Sequence, residues 1–384
     1  MAGAAVKKPS SDKRQGVVDL FNSSKSADSI EKTHTTELVI ALCGPIGSPL
    51  HDVATSIETK LIDTFGYEKC TKIRLSALID EYAEKVQKQI PAKPGFEKIQ
   101  AQIDVGNDLR AKYGSSVLAE LAVNSIRLDR EMYKAELGAA SHAPRRVCHI
   151  IDSVKNQEEL DLLRMVYREM LYVVGVFSPL EQREENLKRK GLDSAQVYKL
   201  IDRDSGEESE TGQTVRDTFP QCDFFLRMDS GTDAQLSRRV ERFLNLILGT
   251  KIITPTLNES AMYAAATAAA NSACLSRQVG AAVTSSDGEV ISTGWNDVPR
   301  MGGGLYLASA LDPLGEHDKR CWNRDGGKCF NDEEKGLFAD QLMETLESFI
   351  APEKLSDARK AVSKFGKLRG LIEFSRSIHA EMHA

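Results

Sequence analysis

The sequence predicts an α/β protein built as two consecutive domains, and three features of its patterning carry that reading. Short apolar runs alternate with helix-period segments over roughly the first 250 residues, as expected of strands joined through helical crossovers into a parallel sheet. Thr254-Pro255 punctuates the chain and precedes an alanine-rich stretch of different composition. Two further apolar runs then bracket Asp287-Gly288, a hairpin signal.

Composition agrees with this division. The chain has 384 residues, enough for two cores of ordinary size. Its 41% hydrophobic and 28% charged content suits a globular protein in water. A formal net charge of −6 gives no global field that favours nucleic acid or an anionic membrane. No apolar run approaches the roughly 20 residues that span a bilayer. The first thirty residues lack the apolar centre of a signal peptide, so a cytoplasmic location without a membrane partner is expected. Seven cysteines, an odd and scattered set, do not form a disulfide framework, and only Cys321 and Cys329 lie close together in sequence.

Residues 1–35 are rich in Lys, Ser and Asp and read as a flexible tail. The first domain, 36–250, opens with the apolar strand ELVIALC, a Gly/Pro turn and the helix-period segment HDVATSIETKLIDTF. A second buried strand is expected at Val147–Ile151, ending at Asp152. The helix LDLLRMVYREM and the strand YVVGVF follow, and DFFLRM with QLSRRVERFLNLILG closes the domain. Residues 181–218 are so heavily charged that an exposed, mobile excursion is expected there. The second domain, 251–384, begins with Asn258 or Ser260 as a helix cap before MYAAATAAANSACLS, a segment of high helix propensity. The hairpin QVGAAVTSS–EVISTGWN comes next, then a Gly- and charge-rich stretch over 300–340 that suits a long insertion or active-site loop.

Two places carry chemistry. Gly44, Gly47 and Ser48 lie in GPIGSP between a strand and a helix, where backbone N–H groups can hold an anion. A Walker A loop also needs a Lys after its last Gly; none follows Gly47, and Pro49 removes a donor, so kinase activity is expected to be lost. With its strand–helix–strand continuation HIIDSVKNQEELDLLRMVYREMLYVVGVF, the region nevertheless resembles a P-loop nucleotide kinase. The resemblance implies a nucleotide with Mg²⁺, with Asp152 in the place of the acidic Mg²⁺-associated residue. It also puts Arg183 and Arg189 where a lid carries phosphate-binding arginines, against the blander reading of a solvated charged helix.

The other place is Ser377-Ile378-His379-Ala380-Glu381-Met382-His383-Ala384. An H-x-E pair at the start of a helix sets a His to ligate zinc and a Glu beside a zinc-bound water, whose protons it can move. H-x-E alone is a weak signal. Here it follows, in order, Cys274 with Ser276-Arg277-Gln278-Val279-Gly280-Ala281-Ala282-Val283, then Ile291-Ser292-Thr293-Gly294-Trp295-Asn296 and Pro299-Arg300. Residues 255–384 therefore resemble the zinc-dependent deoxycytidylate deaminase family, with its C-x-x-R-x-VGAV, ISTGYN and HAEMNA segments.

That resemblance implies an α/β/α cytidine-deaminase-like domain, His379 as a catalytic-zinc ligand and Glu381 as the proton carrier. It implies Asn296 against the nucleotide sugar and Arg277 near its phosphate. It also suggests a second zinc from Cys274, His317, Cys321 and Cys329, although H-x3-C-x7-C is irregular and ordinary loop residues remain the alternative. The sequence departs from the family in Trp295 for Tyr and His383 for Asn, and no P-C-x-x-C pair follows within residues 1–384. Tetrahedral zinc needs more than one protein ligand, so the chain is expected to be a truncated form, inactive alone.

A kinase-like domain joined to such a deaminase is similar to a bacterial anti-phage deaminase family. The similarity implies hydrolysis of dCTP and dCMP to dUTP and dUMP, assembly as a dimer or hexamer, and in some systems an inhibitory small RNA. Two rival functions stay open: a nucleotide-binding, kinase-like regulator with a degenerate deaminase region, and a cytosine deaminase acting on polynucleotides. The acidic balance and the lack of aromatic-basic stripes weigh against the last.

Overall fold

In the computed structural model, residues 37–137, 145–204, 215–229, 233–309, 317–324, 326–364, 368, 371 and 374–384 are described. The N-terminal tail expected at 1–35 lies outside them. The chain divides into two units, one reaching Ile253 and one running from Thr254 to Ala384.

In the first unit β1 (Glu37–Cys43), β2 (Lys69–Arg74), β3 (Val147–Val154), β4 (Leu171–Phe177) and β5 (Phe224–Arg227) form one parallel sheet in the order β2-β3-β1-β4-β5. The near-continuous apolar run of β1 follows from its central position, because both faces are covered. Leu38, Ile40 and Leu42 enter one core with Val53, Ile57 and Leu61 of α1 (Leu50–Asp63). Val39, Ala41 and Cys43 enter the other, with Ile79 of α2 (Leu75–Tyr82), Leu109 of α3 (Phe96–Tyr113), Leu118 and Ala122 of α4 (Val117–Leu137) and Leu160 of α5 (Gln157–Tyr167). Each fully buried Leu or Ile contributes about 1.5–3 kcal/mol, so a single charge in β1 is enough to break the sheet. The parallel α/β class expected from the alternating pattern is thus the one found.

Residues 180–204 correct the expectation of a mobile excursion. They form α6 (Leu180–Arg189) and α7 (Ser194–Asp204), which share a small apolar cluster of Leu187, Leu192, Val197 and Leu200 with Ile103. Charged residues dominate the composition here, but Leu187 from α6, Val197 and Leu200 from α7 and Leu192 from the turn between them give the pair a shared apolar face. Of the remainder of that stretch, residues 205–214 lie outside the described residues and Val215–Thr218 form a further short helix. The unit closes with α8 (Asp233–Ile247), whose Val240, Phe243 and Leu244 join the α1 face.

The second unit starts with α9 (Leu257–Ala269). Its cap is Thr256 rather than Asn258 or Ser260. The Thr256 hydroxyl accepts the Glu259 N–H, while the Glu259 carboxylate accepts the Thr256 N–H at 2.6 Å, a reciprocal capping box. The helix ends at Ala269, and Cys274 follows in a loop instead of closing the helix. β6 (Gly280–Thr284) and β7 (Val290–Trp295) pair antiparallel around Asp287-Gly288, where Gly288 takes a φ of 84°. Gly280 has to be a glycine: a Cβ there would sit 1.9 Å from the Ala265 carbonyl oxygen of α9. The stretch expected as a loop over 300–340 runs into a helix at its end, α10 (Phe330–Leu346), and α11 (Leu355–Lys364) follows beyond it. A four-residue α12 (Ala380–His383) rests against β7.

Candidate functional site

In the first unit the Gly-rich turn leaves β1 at the carboxyl edge of the sheet. Ligands bind there in open α/β sheets, close to where successive connections run to opposite sides. Gly44 is demanded by close approach, since a Cβ would fall 2.5 Å from the Val176 carbonyl oxygen of β4. Gly47 has a φ of 87°, and its missing Cβ is the space filled by the Arg183 backbone. The Ser48 N–H is consumed by the turn, donating to the Pro45 carbonyl at 3.0 Å. The Ser48 hydroxyl is buried without a hydrogen-bond partner among the described residues.

The loop is held from α6. Arg183 Nε donates to the Ile46 carbonyl at 2.8 Å, and Asn186 Nδ2 donates to the Gly47 carbonyl at 2.9 Å. Burial lowers the Arg183 guanidinium below its usual value, and Asp204 opposes the shift. Arg189 pairs with Glu185 one turn away on the exposed face of α6, which is the solvated-helix reading.

The Ile46 N–H donates to Asp204 Oδ2 at 2.5 Å, while Lys155 Nζ meets Asp204 Oδ1 at 2.5 Å. Asp204 is 1% exposed, so this carboxylate depends on those two partners. Sequence reading missed Lys155, Asn186 and Asp204. For Lys155 the signal was its place just past a strand that ends at the same sheet edge as the loop; Asp204 offered none, being one acid in an acidic run. Lys155 is itself positioned from below: its N–H donates to Glu159 Oε2 at 3.3 Å, and Glu159 forms a buried ion pair with Arg110, with guanidinium nitrogens at 2.7 and 2.9 Å.

Asp152 pairs in register with Leu42 and Arg74, so it stands at the same edge. Ser153, beside it, is the extra residue of a β-bulge and holds a φ of 123°, a strained conformation for a residue with a Cβ. Burial raises the Asp152 carboxyl above the usual range, while His51, Arg74, Lys155 and Lys190 pull the other way. A carboxylate set among cations is a poor start for a magnesium site. Among the described residues no group of three His, Cys, Asp or Glu side chains stands ready for any metal ion.

In the second unit His379 is the residue before α12 and Glu381 lies in its first turn, both exposed. The turn is fixed by three contacts. The Ile378 N–H donates to the Asp297 carbonyl at 3.0 Å. Gly294 of β7 lets α12 approach so closely that a Cβ would fall 2.3 Å from the Ala384 nitrogen. The third contact joins the two departures from the family pattern. The Trp295 N–H donates to His383 Nδ1 at 3.1 Å, and the rings meet edge to face with centroids 4.5 Å apart. Trp295 and His383 are thus a matched pair rather than two independent changes.

Asn296 acts as a clamp. Its Oδ1 accepts from the Val279 N–H at 2.7 Å and from the Ser272 hydroxyl at 3.0 Å, and its Nδ2 donates to the Arg277 carbonyl at 2.8 Å. These bonds stitch 272–279 to the end of β7 and leave one amide hydrogen for a ligand. Arg277 is exposed and lines an open cavity of about 430 Å³ with Ser276, Asp332, Lys335 and Ser363. The four candidates for a second zinc do not assemble among the described residues. Cys274 and Cys321 are buried, and Cys329 is half-buried with its thiol pushed up by burial, away from the thiolate that zinc prefers.

The loop around Cys321 is organised instead by charge. Arg320 donates from Nε and a terminal nitrogen to Asp318 at 3.0 and 2.7 Å, and another nitrogen lies 3.6 Å from Asp297. Burial alone would raise Asp318, but the Arg320 hydrogen bonds outweigh it and hold the carboxyl below its usual range. This network carries the loop to Asp297, the same residue that seats Ile378.

No family model matches the sequence, and no curated protein matches it. Solved structures do align with it. A gluconokinase from Sinorhizobium meliloti 1021 is similar at 15% identity over 60% of this chain and 98% of that one, with a TM-score of 0.28. The shikimate kinase of Bacteroides thetaiotaomicron aligns at 12% identity over 55% of this chain and 98% of its own, TM-score 0.32. Chaetomium thermophilum Kti12, solved with ADP-AlF3, gives 10% identity, 54% and 98% coverage and a TM-score of 0.27.

Proposed function

We propose that this protein acts on deoxycytidine nucleotides: the second unit belongs to a hydrolytic deaminase of dCTP or dCMP, and the first binds a nucleotide's phosphates and regulates it. The observation that carries the deaminase reading is the H-x-E turn seated by Gly294 and Asp297 on a hairpin backed by α9. It joins, at one place, the ordered segments from which the resemblance was drawn. Zinc does not fit the described residues as they stand, because His379 has no companion ligands. What these residues supply is the placement of His379 and Glu381 and the Asn296 clamp beside them.

Ammonia release from dCTP, dCMP and single-stranded DNA tests the reading. Residues 1–384 alone should release none. A form in which a P-C-x-x-C pair follows residue 384 should act on the nucleotides and lose activity in His379→Ala and Glu381→Gln. Activity confined to polynucleotide overturns the proposal. The rival is a nucleotide-binding regulator with a degenerate deaminase region; binding without ammonia release in every form would establish it.

The phosphate reading of the first unit is supported by the Ile46 amide, which already holds a carboxylate oxygen. Calorimetric titration with inorganic pyrophosphate tests it, and absence of binding removes it. Exposed Met262, Tyr263 and Ile291 support self-association, readable by sedimentation. Nucleotide depletion in antiviral defence and silencing by a small RNA rest on the resemblance alone. Among the described residues no helix is long and apolar enough to cross a membrane.

A further inference from the structure

We infer that the first unit keeps its phosphate seat closed with its own carboxylate. The Ile46 amide and Lys155 form an anion site that Asp204 fills in this state, and a nucleotide's phosphate binds by displacing it. The inference rests on the phosphate reading of the Gly44–Pro49 loop. One oxygen of Asp204 accepts the loop amide at 2.5 Å and the other meets the Lys155 ammonium at 2.5 Å. A phosphate presents two oxygens with the same charge sign and the same capacity to bridge an N–H and a cation.

The contact joins distant parts of the chain, since Ile46 and Asp204 stand 158 residues apart. It is therefore a tertiary choice of partner and not a local turn. Asp204 ends α7, and α7 shares its apolar cluster with α6, whose Arg183 and Asn186 hold the carbonyls of the same loop. The α6–α7 pair thus supplies both the clamp on the loop carbonyls and the plug on its amide.

Lys155 then has a role that the missing Walker lysine left open. It reaches the loop from the end of β3 instead of from the start of α1, and its backbone is pinned by the buried Arg110–Glu159 pair. With Asp204 displaced, Lys155 is the cation left facing the bound phosphate. The phosphate takes over both partners of the Asp204 carboxylate, so the exchange requires that carboxylate to leave its buried site for solvent.

The test uses the full chain and inorganic pyrophosphate. Asp204→Asn keeps the shape and removes the charge, and it should bind pyrophosphate at least about tenfold tighter than the wild type. Equal affinity in the two proteins overturns the plug and leaves the phosphate reading standing. Binding by neither overturns both. Because the variant's fold is itself at risk, wild-type protein gives a second readout. Pyrophosphate should shift the Ile46 amide and the Asp204 carboxyl resonances together in NMR, and binding that leaves either unmoved overturns the inference.

Discussion

Removing Arg110 should unfold the first unit far more readily than its distance from the loop suggests. Arg110 and Glu159 have side chains only 2% and 0% exposed, and Arg110 provides both guanidinium contacts to Glu159 Oε1. Arg110→Met fills most of the volume but strands a buried carboxylate, a mechanism that costs about 3–5 kcal/mol. For a unit of this size each kcal/mol lowers the melting temperature by about 2–4 °C, so a fall of roughly 6–20 °C is expected at pH 7. The double variant Arg110→Met, Glu159→Leu removes both charges and should recover most of that loss. It also removes the carboxylate that accepts the Lys155 N–H, so it should stay weak in binding pyrophosphate while regaining stability. Calorimetric melting and titration on the same three proteins separate the two effects. A fall under about 3 °C for Arg110→Met, or a double variant as unstable as the single one, would refute the account of the pair as a buried support for Lys155.

Asp152→Asn should stabilise the protein at neutral pH. Burial raises the folded carboxyl above its unfolded value of 3.8, so the native state holds the proton more tightly and stability declines as pH rises from there through the folded pKa. Melting curves across that range should show the decline in the wild type and not in the variant. Gly294→Ala should undock α12: the new Cβ needs about 3.4 Å and finds the Ala384 nitrogen at 2.3 Å, a shortfall of 1.1 Å against backbone that cannot rotate away. Overpacking of this kind costs about 1–3 kcal/mol, and loss of the Trp295–His383 contact should appear as a change in Trp295 fluorescence in a Trp322→Phe background. An unchanged spectrum would show that Gly294 does not set the H-x-E turn.

The sequence exposed those features that periodicity and glycine encode. β1, β4 and the start of β3 were legible because a buried parallel strand reads as a near-continuous apolar run, the edge strand β5 because three of its four residues are apolar, and the hairpin because Asp287-Gly288 sits between two apolar runs. β2 was not: KCTKIR lies near the sheet edge with only Ile73 buried, and its polar residues mask the period. The α6–α7 pair was hidden by charge, since a small cluster of apolar residues carries its fold among many charged positions. In the candidate sites, Gly44, Gly47 and the H-x-E turn were visible as local patterns. Lys155, Asp204 and Asp297 were not, because each acquires its meaning from a partner far along the chain.

A closed seat changes what an affinity measurement on this protein means. A charge-assisted hydrogen bond contributes about 1.5–3 kcal/mol, and the Ile46–Asp204 contact is of that kind. A ligand that must first displace it binds with an apparent affinity reduced by the fraction of open protein, about 10- to 150-fold over that range. Weak binding to the resting protein is then compatible with a tight intrinsic site. Anything that draws the α6–α7 pair away from the loop raises the affinity without touching the ligand. The same step withdraws Arg183 and Asn186 from the carbonyls of Ile46 and Gly47, so opening the seat also frees the loop to change its shape. Binding and rearrangement are thereby one equilibrium in the first unit.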